Sequence, residues 1–351
     1  MRDHEVINVF CHAPVFAYQV VVQLDYISLS EVKVPMKKNG LLLVNLGSPD
    51  EPTTPAVKQY LTEFLGDQNV VTLPRWFWQP LLKGIILPTR AWRSATFYRD
   101  IWERDGPPLI ANTARLTKRV QNALPDWQVA MAMTYRKPAI STVLNQLQQT
   151  CDQVYVLSLF PHFTQSTTQS IIDQVHAVDP TIPIIDRFAD QPTFLNLLAQ
   201  HIQAFWDNGN FDQLMISYHG IPVSMVKDGD PYQDETERTT VELKKRLTIP
   251  NHQIKMVYQS KFGPMPWLKP YLKNELLRQV QLGKRRIMIV SPSFVTDCLE
   301  TLEENGVQNY QAFRASGGQE LTMMPALNDD PEFATFIANL AKEAANEQEK
   351  S

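Results

Sequence analysis

Four short apolar runs, each stopped by turn-forming residues and followed by helix-like periodicity, constrain this chain more than any other feature. They are Leu41-Leu-Leu-Val-Asn-Leu before Gly47-Ser-Pro, Val154-Tyr-Val-Leu-Ser-Leu-Phe before Pro161, Leu214-Met-Ile-Ser-Tyr-His before Gly220-Ile-Pro, and Ile287-Met-Ile-Val before Ser291-Pro. Runs without polar alternation suit strands buried on both faces, hence parallel sheets flanked by helices. The runs also pair. Val44-Asn-Leu-Gly-Ser-Pro is similar to Ser217-Tyr-His-Gly-Ile-Pro, and Leu157-Ser-Leu-Phe-Pro to Val290-Ser-Pro-Ser-Phe. A shorter strand candidate lies between the members of each pair, at Ala130-Met-Ala-Met-Thr-Tyr and Ile254-Lys-Met-Val-Tyr-Gln. The expected architecture is α/β, with two similar Rossmann-like domains whose parallel sheets are flanked by helices. A chain of 351 residues is long enough for two such cores. The predicted domains cover residues 36–188 and 189–328. Residues 329–346 are read as a closing helix packing back on the body, because Phe333, Phe336, Ile337, Leu340 and Ala344 recur at helical spacing.

Residues 1–35 read differently. Asp3, His4 and Glu5 give no basic start of the secretory kind, and the strong patterning begins only after Met36. They are expected to be an extension outside the fold, with Met36 the functional start. The net charge of −4 gives no electrostatic footprint for nucleic acid. No apolar run reaches the ~18 residues of a membrane-spanning helix. Cys11, Cys151 and Cys298 are too scattered for a disulfide framework or a metal cluster, and a reducing cytoplasm fits them.

The first half carries an insertion at residues 61–109 that the second lacks. Trp76, Phe77, Trp78, Trp92, Tyr98 and Trp102 are interleaved there with Arg75, Lys83, Arg90, Arg93 and Arg99. For any one residue, a helical pair with core aromatics and a solvated basic face is the favoured reading. Together, aromatic bulk beside cations suits a flat apolar ligand bearing carboxylates, or a membrane surface.

Ligands of open parallel sheets bind beyond the carboxyl ends of the strands. His219 stands at such an end, and Gly220 and Pro222 force a turn that projects its ring into the crevice. Glu300 opens a helix after the equivalent strand, and Glu304, four residues on, shares its face, while Glu303 falls on a different, solvated one. A lone strand-end histidine is more often structural, and acidic residues in a first turn are usually dipole partners. An imidazole facing a carboxylate can nonetheless ligate a divalent metal or accept protons. On pattern alone a metal-dependent hydrolase and a binding protein stay open.

From Gly40 to about Ala345 the chain resembles the bacterial ferrochelatases. The resemblance is carried in order by Asn45-Leu-Gly-Ser-Pro-Asp, Ser217-Tyr-His-Gly-Ile-Pro, Gln259-Ser-Lys-Phe-Gly-Pro-Met-Pro-Trp-Leu, Asp297-Cys-Leu-Glu-Thr-Leu-Glu-Glu and Pro325-Ala-Leu-Asn. It implies a chelatase-like fold with a porphyrin held between two domains. It further implies an enzyme that inserts Fe2+ into free-base protoporphyrin IX or coproporphyrin III, releasing two protons, in haem biosynthesis. It places the iron-binding and catalytic roles at His219 and Glu300; substrate contacts are further expected at Leu46, Tyr218, Pro107, His162, Trp267 and Glu304.

Departures from the family pattern are local. Gly106-Pro-Pro-Leu lacks a serine at Pro107 that could meet a propionate, and Tyr135-Arg-Lys-Pro replaces a Tyr-Gly-type turn. Gln308 interrupts the acidic line after Glu304. Leu46 stands where coproporphyrin-using relatives carry tyrosine, which leans toward protoporphyrin. Iron is expected as substrate, with no tightly bound cofactor and no iron–sulfur cluster. The protein is expected to be a cytoplasmic monomer, with peripheral membrane contact left open. A cobalt or nickel tetrapyrrole chelatase and a non-catalytic haem or porphyrin carrier are the alternatives.

Overall fold

The computed structural model describes residues 37–350. The expected extension at residues 1–35, the start at Met36 and Cys11 lie outside the described residues.

Among the described residues, eight strands form two four-stranded parallel sheets. β1 (Lys37–Asn45), β2 (Trp127–Met133), β3 (Cys151–Ser158) and β4 (Ile184–Ile185) are arranged in the order β2-β1-β3-β4. β5 (Gln213–His219), β6 (Ile254–Gln259), β7 (Arg286–Val290) and β8 (Glu320–Met323) repeat that order as β6-β5-β7-β8. The six strands expected from the apolar runs are therefore present and correspond pairwise. The two edge strands β4 and β8 have no strong pattern of their own and were not expected. In each sheet the chain reverses its direction of travel beside the first strand, which opens a crevice at the carboxyl ends of β1/β3 and of β5/β7.

The helices are α1 (Thr54–Phe64), α2 (Arg75–Leu81), α3 (Leu87–Ile101), α4 (Pro108–Ala123), α5 (Ile140–Thr150), α6 (Ser170–His176), α7 (Pro192–Asp207), α8 (Val223–Lys227), α9 (Tyr232–Arg246), α10 (Leu272–Gln281), α11 (Tyr310–Ala315) and α12 (Pro331–Gln348). Among the described residues, the segments Leu82–Ile86, Gln165–Gln169 and Glu300–Asn309 are wound as π-helix.

The uninterrupted apolar runs are explained by burial on both faces. Leu41 and Leu43 of β1, Leu214 and Ile216 of β5, and Met288 and Val290 of β7 share one cluster with α4, α7, α9 and α12. The alternate residues Leu42 and Val44 face the outer helix α5, and Met215, Ile287 and Ile289 face α10. The two sheets thus share a common helical layer.

α12 is the closing helix of that layer. Asp330 caps it, its Oδ1 accepting from the amides of Glu332 (2.8 Å) and Phe333 (3.0 Å), which satisfies two donors the helix itself leaves free. Its apolar stripe of Phe333, Phe336, Ile337, Leu340, Ala341 and Ala345 is buried against α4 and α7. Phe333 and Phe336 pack against Phe188 and Phe194 in tilted and edge-on contacts, with Phe188 and Phe336 centroids 5.6 Å apart. Truncating Phe333, which is fully buried, removes a ring from the layer both sheets use. Phe333→Ala is expected to lower the unfolding free energy by about 3–5 kcal/mol, read from the shift in urea midpoint.

Candidate active site

The crevice at the end of β5 holds His219. Successive strand residues point to opposite faces, and β5 illustrates the rule at its last two positions. Tyr218 is fully buried, with its hydroxyl 3.0 Å from Thr240 Oγ1, whereas His219 is half-buried at the crevice. The expectation of a substrate contact at Tyr218 is corrected accordingly: its ring belongs to the core. His162 is corrected in the same way. It is buried, its Nε2 lies 2.9 Å from Thr239 Oγ1, and its ring meets Tyr218 and Tyr232 edge-on. Burial pushes its pKa down to about 3, so it stays neutral.

The turn behind His219 is tightly held. Gly220 donates its N–H to the Gln259 carbonyl at 2.9 Å. A Cβ at Gly220 would lie 3.0 Å from that oxygen and 3.2 Å from the Trp267 ring, a closeness that favours glycine. Val223 bonds to Pro266 and Leu268 to Ile221. These backbone bridges bring Trp267 beside His219, ring centroids 6.2 Å apart, and the Phe294 ring lies 6.3 Å from His219 as well.

His219 Nδ1 is 2.6 Å from the carbonyl oxygen of Gly220. A carbonyl can only accept, so Nδ1 carries the hydrogen and the neutral ring presents a bare lone pair at Nε2. Burial lowers the His219 pKa, opposed by the charge of Glu300 and by the Gly220 carbonyl. The imidazole is thus held in the form that can take a metal ion or a proton.

Glu300 opens the π-helical segment Glu300–Asn309 as expected, on a helix wound more widely than the α-helix expected for it. Glu304 shares its neighbourhood: its carboxylate accepts from the Ser260 amide (2.8 Å) and the Ser260 hydroxyl. Burial chiefly, with the charge of Glu300 adding, pushes the Glu304 pKa up to about 7 against the pull of Ser260. Glu303 corrects the expectation of a solvated residue: it is buried, paired with Gln308, and raised in pKa by that burial.

The other expected residues divide. Leu46 joins an apolar cluster with Leu109, Met133 and Phe294, and so lines the same region as His219. Pro107 is buried at the N-terminus of α4, where its carbonyl takes the amides of Ile110 and Ala111, a role in the helix start. The aromatic insertion splits as well. Trp78 is buried with Nε1 on the Leu65 carbonyl, and Tyr98 meets Tyr60 edge-on, while Trp76 (80% exposed) and Trp92 (59%) face outward.

Several residues at the site had no individual role in the sequence reading, where Arg90 stood only among the cations of the insertion. Arg90 from α3 lies 4.5 Å over the ring of Phe262, joining the insertion to the loop after β6. Burial lowers its pKa while Glu300 sustains its charge. Asn45 at the end of β1 donates to Thr113 (3.0 Å) and Thr296 (3.3 Å), tying the first sheet to the loop that leads to Glu300. Phe294 and Asn45 stood inside quoted motifs, so strand-end position was the available signal. The Arg90–Phe262 pair has none, since its members are far apart in the chain. Asp297 accepts from Asn328 Nδ2 at 2.7 Å, which explains why Pro325-Ala-Leu-Asn accompanies the acidic motif.

A lone-pair nitrogen, clustered carboxylates, flat apolar walls and a rim cation are together suited to a planar macrocycle with acidic substituents that must lose protons. The model of the ferrochelatase family matches residues 38–345. The chain belongs to the ferrochelatase family. It is 62% identical over 307 residues to the coproporphyrin III ferrochelatase of Limosilactobacillus reuteri (strain DSM 20016), covering 88% of this chain and 99% of that one. It is 53% identical to the coproporphyrin III ferrochelatase of Lactiplantibacillus plantarum, over 88% of this chain and 96% of that one. The ferrochelatase of Aliivibrio fischeri is 41% identical, over 87% and 97%. Among solved structures, the cobalt complex of the sirohydrochlorin chelatase SirB from Bacillus subtilis subspecies spizizenii superposes with a TM-score of 0.51 at 11% identity, covering 90% of this chain and 98% of that one, a likeness of fold alone. The activity of this ferrochelatase is insertion of iron into a porphyrin in haem biosynthesis. No helix among the described residues is long and apolar enough to cross a membrane.

The raised Glu304 pKa makes a stability prediction. A carboxyl whose folded pKa lies above its unfolded value holds an extra proton when folded, and that contribution is lost as pH rises through the folded value. Glu304→Gln removes it. Between pH 5 and pH 8 the variant should gain stability relative to the parent, on the order of 2 kcal/mol, in urea titrations at the two pH values. Parallel pH profiles would show that Glu304 ionises freely in the folded protein.

Proposed function

We propose that this ferrochelatase acts on coproporphyrin III, with His219 and Glu300 as the pair that receives the iron and the pyrrole protons. The relatives bearing that substrate in their names support the first part: 62% and 53% identity, against 41% for a relative named only as a ferrochelatase. Leu46 does not weigh against it, because its side chain is a packed apolar wall and the acidic edge of the macrocycle is met elsewhere. Arg90, over the Phe262 ring, and Lys261, over the Tyr271 ring, are the cations to which we assign the propionates.

The residue roles rest on the bare Nε2 lone pair that the Gly220 carbonyl leaves on His219. Imidazole and carboxylate suit ferrous iron. Each holds the hydrated ion until a ring nitrogen replaces it, and each is then free to take a proton. Two pyrrole N–H bonds break, one proton going to His219 Nε2 and one to the Glu300 carboxylate, as the four nitrogens close on the metal. Glu304, poised near neutrality, takes protons onward from Glu300. Trp267, Phe294 and Leu46 clamp the ring, and binding it bent exposes nitrogen lone pairs to the ion.

The test is anaerobic iron(II) insertion, followed by loss of porphyrin fluorescence, with coproporphyrin III and protoporphyrin IX in parallel. Coproporphyrin III should turn over faster, and the reverse order would overturn the substrate assignment. His219→Ala should lose activity by a factor of about 10² or more while still quenching on porphyrin binding, and Glu300→Gln by roughly tenfold or more. Parental turnover in His219→Ala would remove the pair from the reaction.

A further inference from the structure

Gln259, the last residue of β6, occupies a position that no requirement of the sheet explains. It is buried, 3% exposed, and lies beside His219 in the β5–β6 register. Its side-chain oxygen gathers three donors from three different elements: Ser217 Oγ on β5 (2.7 Å), Asn305 Nδ2 on the π-helix (2.8 Å) and Ser291 Oγ after β7 (3.3 Å). That crowding fixes which end of the amide is oxygen, and leaves Nε2 to donate. It does so to the backbone carbonyl of Glu300, at 3.2 Å. The main-chain carbonyl of the same residue holds Gly220 N–H, and hence the turn that aims His219. One residue therefore grips both members of the proposed pair, through two different groups.

The neighbouring residues extend the grip. Asn305 passes it along the helix by accepting from Asn309 Nδ2 at 2.9 Å, and Ser260 holds the Glu304 carboxylate. Ser260 has a φ of 64°, a left-handed conformation uncommon outside glycine. The chain thus turns sharply at the end of β6, where side chain and backbone together meet the helix. Gln259 Nε2 adds, at Glu300, a donor from outside the helix to a carbonyl of its first turn.

We infer that Gln259 is a positioning residue: it sets the separation and orientation of Glu300 relative to His219 without touching the porphyrin. The inference rests on the roles proposed for that pair. Loss of the Nε2 bond frees the start of the helix while leaving the walls of the ring site, Trp267, Phe294 and Leu46, in place. Misplacement of a reacting group by about 1 Å can cost on the order of a hundredfold in rate with little change in substrate binding.

Gln259→Glu is the informative variant. It keeps an acceptor for Ser217 and Asn305 and replaces the donating Nε2 with an oxygen facing the Glu300 carbonyl. Turnover is measured anaerobically with iron(II) and the faster porphyrin, counted per porphyrin-binding site from fluorescence quenching. The expected result is a fall in kcat per site of roughly tenfold or more and a raised iron KM, with the porphyrin KM within about twofold of the parent. A kcat per site within about twofold of the parent overturns the inference. So does an equal loss of porphyrin affinity, which marks general loosening of the site. Should Gln259→Glu fail to fold, Asn305→Ala removes the other bond by which Gln259 holds this helix, that of Asn305 Nδ2 on its side-chain oxygen; the same split in kcat and porphyrin KM is expected there, and an unchanged kcat is the overturning result. An inactive His219→Ala beside a fully active Gln259→Glu would remove the positioning role alone, whereas an active His219→Ala would remove the pair on which it rests.

Discussion

A strand end can aim a side chain only if the turn behind it is held, and at β5 that hold is made by two carbonyl oxygens. Gln259 takes the Gly220 amide, and the Gly220 carbonyl takes His219 Nδ1. The first fixes where the chain goes after the strand. The second fixes which ring nitrogen carries the hydrogen. The first contact lies outside the ring, and in the second Nδ1 keeps its hydrogen whether the ring is neutral or protonated, so both persist when Nε2 gains or loses a proton or a metal ion. The chemistry at Nε2 is thereby separated from the structure that supports it.

The carboxylates opposite are held on different terms. Glu303 and Glu304 are drawn out of water on one turn of the π-helix and both are pushed toward the neutral form by burial. Packing apolar residues there would cost less. Clustered acids are tolerable because each has a named polar partner, Gln308 for Glu303 and Ser260 for Glu304. The π winding matters for this arrangement. The wider turn redistributes side chains relative to an α-helix, and Glu303, Asn305 and Asn309 are all buried on it.

That redistribution explains where the sequence could and could not be read. Strands buried on both faces announce themselves as unbroken apolar runs, so β1, β3, β5 and β7 were evident, and the duplicated strand order follows from their pairing. His219 was evident because Gly220 and Pro222 leave few other paths for the chain. Glu300 was found by its motif, but the π-helix has no pattern distinct from an α-helix, and an α-helical wheel wrongly sends Glu303 to solvent. Tyr218 was misassigned for a simpler reason: adjacent residues of a strand cannot both face the crevice. His162 sits just past the end of β3, where strand-end logic applies, but the Thr239 hydroxyl on α9 captures its ring inside the core. Contacts such as Arg90 on Phe262 depend on how the insertion docks, which local pattern does not encode.

The two sheets share one strand order, yet they contribute unequally to the site. The end of β5 carries the reactive imidazole, and the loop after β7 leads to the carboxylates. The corresponding end of β1 carries Asn45, whose amide bonds to Thr113 and to Thr296, and then Leu46 and Gly47. Gly47 has a φ of 103°, and a Cβ there would fall 2.0 Å from the Tyr135 carbonyl, so the chain passes where no side chain fits. The first sheet thus uses its strand end to brace and wall the crevice of the second. A duplicated fold need not duplicate its chemistry: what differs between the two halves is a handful of residues at equivalent strand ends, together with an insertion that one half carries and the other lacks.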